Sequence, residues 1–141
     1  MSISGSQLMS DDMLNKHDEK SVEWLKETYL SSSNNALIIS HELSAMLFNR
    51  DIKNILLIHI NSFTVEMLDA LLTAYEKQHV KFVSLPNALS DEIYQINPNI
   101  VRDRAYTFLN QVRLSKGLKN PEIVEKLYAS IPEDKLNTIC R

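Results

Sequence analysis

Residues 55–60 read Ile-Leu-Leu-Ile-His-Ile, the longest apolar run in the chain, interrupted only by His59. An almost unbroken series of β-branched and aliphatic side chains suits a strand covered on both faces, so the run predicts a strand over about residues 54–60. A second segment, Val-Lys-Phe-Val-Ser-Leu at 80–85, predicts another strand with less regular alternation. Between them Thr64 is a natural N-cap, and Glu66 and Asp69 place negative charge near the first turn. Val65, Leu68, Leu71, Leu72 and Tyr75 then recur at helical spacing to about Gln78. Strand, helix and strand in that order normally close as a right-handed parallel crossover. The expected class is therefore α/β, built on one parallel βαβ unit.

The flanks read as helix. Val22, Leu25, Tyr29, Leu37, Leu43 and Leu47 mark an apolar stripe from about Lys20 to Phe48. Its weak point is Ser31-Ser32-Ser33-Asn34-Asn35, a run of poor helix formers through which one long helix is still expected to pass. Pro86 suits the first turn of a short helix that residues 91–94 extend. Ile100 to Lys116 reads as a helix stopped by Gly117, and Asn120, Pro121 and Glu122 read as N-cap, N1 and N2 of a last helix to about Ala129. Residues 1–12 read as a disordered leader, 13–130 as one domain and 131–141 as a tail.

Absent residue types exclude whole classes of chemistry. The chain has two glycines, Gly5 and Gly117, so neither a dinucleotide fingerprint nor a P-loop can be assembled. One cysteine, Cys140, allows no intrachain disulfide and no paired-cysteine zinc site, and it reads as an inert tail thiol. His17, His41, His59 and His79 are too far apart in sequence for a local metal motif. A net charge of −3 gives no electrostatic reason to expect nucleic acid or an anionic membrane as partner. No apolar run reaches the ~20 residues of a bilayer span, and the first twenty residues carry no secretion signal, so a cytoplasmic setting is expected. Met46 and Met67 read as core filler, and Trp24 with Tyr29 as packing residues.

The segment NILLIHINSFTVEMLDALLTAYEKQHVKFVSLPNALSDEIY, residues 54–94, resembles the last strand–helix–strand portion of polysaccharide deacetylases. The residues that carry the likeness are His59, Asn61, Leu68-Asp69, Phe82-Val83-Ser84-Leu85, Ala88-Leu89, Asp91 and Tyr94, in order and with preserved spacing. Upstream, Glu27 to Leu30 and Leu43 to Phe48 are similar to the family's preceding helix. Downstream, Phe108-Leu109 and Leu114 to Leu118 are similar to its closing helix, so the likeness covers about residues 13–120. The resemblance implies a helix-rich fragment of a distorted (β/α) barrel, with the long helix before the two strands and shorter helices after them.

It also implies a chemistry of which little is present. Family members hydrolyse N-acetyl or O-acetyl groups on carbohydrate polymers with zinc or another divalent metal, held by an Asp and two His, and with a further Asp as base. The metal polarises the carbonyl and lowers the pKa of its water, while another group protonates the leaving amine. The T-F-D-D, H-x-x-x-H and R-x-P-Y motifs have no counterpart; the only Asp-Asp pair is Asp11-Asp12 in the leader. No cofactor or metal ligand is therefore expected in this chain. Leu57-Ile58-His59 matches the family's final motif and makes His59 the candidate general acid, though Ile60 stands where the family often has Ala. Asn61 is the candidate substrate-binding residue, its structural alternative being a turn into the Thr64 cap. Two strands cannot close a barrel, so open strand edges are expected to drive self-association or pairing with a complementary deacetylase half. Carbohydrate is a ligand only if the site is completed in that way. The alternative is a non-catalytic binding or regulatory module on the same scaffold.

Overall fold

A computed structural model describes residues 19–101 and 106–139, and their regular structure is helical. The elements are α1 (Glu19–Phe48), α2 (Ser62–Lys77), α3 (Leu85–Leu89), a 3-10 turn (Glu92–Gln95), α4 (Phe108–Ser115), α5 (Glu122–Ala129) and α6 (Glu133–Ile139). The expected leader, His17 and Cys140 lie outside the described residues.

Helix α1 is the spine of the molecule, and it runs unbroken through Ser31–Asn35. Tertiary bonds compensate for the poor propensity there. Ser33 is fully buried, its Oγ donates to the Tyr29 carbonyl at 2.6 Å, and the Tyr75 hydroxyl donates to the Ser33 carbonyl at 2.9 Å. Two apolar clusters form along α1. Near its start, Leu25 and Tyr29 pack with Phe63, Met67, Leu71 and Tyr75 of α2, and the rings of Tyr29 and Phe63 meet edge to face at 5.5 Å. Further along, Ile39 and Leu43 pack with Ile52, Ile93, Leu109 and Val124, which joins α4 and α5 to the spine.

The expected α/β architecture is not formed. Among the described residues there is no β-strand, sheet or barrel segment; residues 54–60 and 80–83 are non-helical, with an isolated bridge at Leu57. The parallel βαβ unit, and with it the barrel-fragment class, is therefore corrected to a helical assembly with extended connections. The reason is local as well as topological. A short apolar run fits any buried segment, and periodicity alone cannot make it a strand. Leu56, Ile58 and Val80 satisfy their apolar side chains against the α1–α2 cluster without a ladder.

Val80 is also committed elsewhere. His79 takes a left-handed conformation (φ 64°), its N–H donates to the Glu76 carbonyl at 2.9 Å, and the Val80 N–H donates to the Tyr75 carbonyl at 3.1 Å. This pair of bonds is a Schellman closure of α2, so Val80 ends a helix instead of opening a strand. Gly117 (φ 65°) ends α4 in the same way, with its N–H on Leu114 and that of Leu118 on Arg113.

Smaller corrections follow the same logic of local capping. Asn61, not Thr64, is the N-cap of α2, and Pro121, not Asn120, occupies that position in α5. Helix α4 starts after Thr107, whose side chain caps it, so the helix read from Ile100 is confined to its last eight residues before Lys116. The buried stripe of α2 is Phe63, Met67, Leu71 and Tyr75, while Val65 and Leu68 face solvent. Met67 is core as expected, but Met46 is exposed. The expected tail contains α6, which Pro132 and the acidic pair Glu133-Asp134 open. Leu136 of α6 packs on the first cluster, and Lys135 lies 3.9 Å over the Trp24 ring.

Candidate functional site

His59 sits in the short link between the extended 52–58 segment and α2, with an exposed side chain. Its backbone carbonyl is tied down by the Thr64 hydroxyl at 2.7 Å. Asn61 and Thr64 form a reciprocal capping box: the Thr64 N–H donates to Asn61 Oδ1 and the Asn61 N–H donates to Thr64 Oγ1, each at 2.9 Å. The Asn61 side chain is thus engaged in starting α2. The two residues nominated from sequence are close in the chain but differ in role, one free to face solvent and the other spent on the helix.

Exposure alternates along the preceding segment. Leu56 and Ile58 turn toward the α1–α2 cluster, whereas Leu57 is 52% exposed and Ile60, beyond His59, 87% exposed. The second extended segment also shows apolar groups to solvent at Phe82 and Val83, and Leu85 at the start of α3 is exposed as well. Val65 and Leu68 add a second apolar stripe to α2, beside the buried one.

A zinc centre of the family's kind needs three protein donors around the ion. Among the described residues no three His, Cys, Asp or Glu side chains come together in that way. His41 Nδ1 and Asp51 Oδ1 lie 2.6 Å apart on an exposed surface near the end of α1, a pair without a third donor among the described residues. These residues do not fit the family's metal, and no step through a metal follows from them.

The other matched residues of the resemblance, Asp91 and Tyr94, act as clamps. Asp91 is buried, caps the 3-10 turn, and accepts N–H bonds from Lys53 at 3.2 Å and Ile93 at 3.3 Å as well as a bidentate grip from Arg50. The Arg50 guanidinium, reinforced by these amides, holds the Asp91 carboxyl well below the usual carboxylate range. The Tyr94 hydroxyl donates to the Lys53 carbonyl at 2.6 Å, and burial pushes its phenol up. Residues 50–54 are thereby fastened to residues 91–94.

That fastening forms one wall of a half-open cleft of about 300 Å³ between α1, residues 52–57, the start of α4 and α5. Ile39 and Leu43 form its floor, and Tyr94, Phe108 and Tyr128 its aromatic sides. Tyr94 and Phe108 rings lie 5.2 Å apart. Sequence reasoning missed this feature because its residues come from five separate stretches and share no local pattern. No helix among the described residues is long and apolar enough to cross a membrane. Comparison of the chain with family models, curated proteins and solved structures returned no match.

Proposed function

We propose that this chain is the C-terminal, metal-free half of a polysaccharide-deacetylase-like hydrolase, active only beside a complementary polypeptide that brings the metal ligands and the base. The observation that supports the reading is the one-sided use of residues 56–60. One side of the segment is satisfied by the helices at Leu56 and Ile58, the other presents Leu57 and His59 to solvent, and Ile60 beyond them is exposed too. Exposed apolar groups at Phe82, Val83 and Leu85 and the second stripe of α2 suit the same kind of partner. In such an assembly His59 is the residue proposed to protonate the departing amine, and the Asn61–Thr64 bonds that hold its link to α2 suit that role.

The test is acetate release from N-acetylglucosamine oligomers, with zinc present, by the chain alone and mixed with a polypeptide carrying the family's T-F-D-D and H-x-x-x-H motifs. The expected result is a one-to-one complex and release only in the mixture, lost on His59→Ala. A mixture that forms no complex in light scattering and releases no acetate overturns the reading. A complex whose hydrolysis ignores His59→Ala leaves a binding module and removes the catalytic half of the proposal.

A further inference from the structure

The cleft beside Tyr128 is unlike the rest of the surface. The chain is 23% charged, yet none of the described residues lining the cleft is Asp, Glu, Lys, Arg or His. Four of its ten aromatic residues converge there: Tyr94, Tyr106, Phe108 and Tyr128. The polar atoms at its edge are mostly engaged with one another. Ser40 Oγ donates to Asn54 Oδ1 at 2.5 Å, and Tyr94 is tied to Lys53. Asn110 Nδ2 donates both to Thr107 Oγ1 at 3.1 Å and to the Tyr128 hydroxyl oxygen at 2.8 Å. The hydroxyl oxygens of Tyr128 and Thr107 both accept from Asn110, which leaves each hydroxyl hydrogen as a donor.

We infer that this cleft binds an uncharged molecule of one or two rings that carries a hydrogen-bond acceptor for the Tyr128 hydroxyl. Size selects the class of occupant. A volume of about 300 Å³ is at the lower end for small-molecule sites. It is also about twice a cavity that takes up benzene. It is too small for a helix from another chain, whose diameter is roughly 10 Å or more. Charge selects further, since an ion entering a wall of Ile39, Leu43, Ile52 and Phe108 loses water and meets no opposite charge among the described lining residues. The ring-shaped occupant follows from the aromatic sides, and the acceptor from the hydroxyl hydrogen that Tyr128 keeps. The cleft shares Leu57 with the face proposed for the polypeptide partner, but the inference does not depend on that reading.

The experiment titrates the full chain with two neutral environment-sensitive dyes, N-phenylnaphthylamine and a naphthyl ketone, and with an anionic naphthalene sulfonate. The expected result is saturable binding of both neutral dyes at one per chain, insensitive to salt, with the sulfonate markedly weaker. Ala36→Phe, which fills the cleft from α1, should weaken both neutral dyes about tenfold or more. Tyr128→Phe should weaken the ketone several-fold and spare the amine dye, a readout that a loss of folding would not give. Phe82→Ser, on the exposed extended segment, should change neither. Absence of saturable binding overturns the inference. So does equal affinity for the sulfonate, or binding lost in Phe82→Ser and kept in both cleft variants.

Discussion

Arg50 holds Asp91 through both arms of its guanidinium, Nη2 to Oδ1 at 2.6 Å and Nη1 to Oδ2 at 3.0 Å. The pair ties the residues just after α1 to the cap of the turn that carries Tyr94, across 41 residues of sequence. Asp91→Ala removes these bonds together with those from the Lys53 and Ile93 amides, and should cost about 1–3 kcal/mol in urea unfolding. The pH dependence has a definite sign. The folded pKa of Asp91 is depressed, so its contribution is present above the unfolded value of about 4 and is lost as pH falls below it. Acid titration of stability should be visibly shallower in Asp91→Asn than in the parent chain.

Two buried phenols should respond in opposite directions. The Tyr29 hydroxyl is buried with no hydrogen-bond partner among the described residues, whereas Tyr75 donates to Ser33. Tyr29→Phe should leave stability unchanged or raise it by up to about 1 kcal/mol, because it removes an unsatisfied polar group. Tyr75→Phe should lower stability by about 1 kcal/mol. Burial raises both phenols, so stability from their neutral forms should persist below the ordinary value near pH 10 and fall above it. Thermal melts of the two variants at pH 7 decide the point.

The capping box makes Asn61 a structural residue first. Asn61→Ala should destabilise the chain by about 1 kcal/mol, and Asn61→Asp should be close to neutral, since aspartate caps as well as asparagine. If Asn61→Ala melts like the parent, the box contributes nothing and the side chain is free for another task.

His79 is a non-glycine residue held at φ 64° to close α2. His79→Gly should raise stability by a few tenths to about 1 kcal/mol, since it removes the Cβ penalty of the left-handed conformation. His79→Val should lower it by more than that gain, and denaturant midpoints measure both.

The helices were legible where a stripe and a cap agree. Leu25, Tyr29 and Leu43 announced α1, Pro86 and Pro121 the starts of α3 and α5, and Gly117 the end of α4. Misreadings arose where one residue had two possible uses. Val80 looks like a strand residue by type, but tertiary packing and a closing hydrogen bond claim it for the end of α2. Val65 and Leu68 fit the helical period as well as Phe63 and Met67 do, and only the position of α1 decides which stripe is covered. His59 could be placed at the end of an apolar segment, but its exposure depends on neighbours the segment does not specify. The cleft was illegible for a plainer reason. Ser40, Tyr94 and Tyr128 share no local pattern and meet only through the fold.

The continuity of α1 through Ser31–Asn35 has a thermodynamic consequence. Its thirty residues make a rod of roughly 45 Å with no hinge, and that rod contributes to both apolar clusters. A turn of the rod about its axis would shift Tyr29 against Phe63 and Leu43 against Leu109 in the same motion. A polypeptide that fixes the α2 end and a small molecule that fixes the cleft end would therefore act on one shared degree of freedom. Whatever the first does to the affinity of the second, the second must do to the first by the same factor.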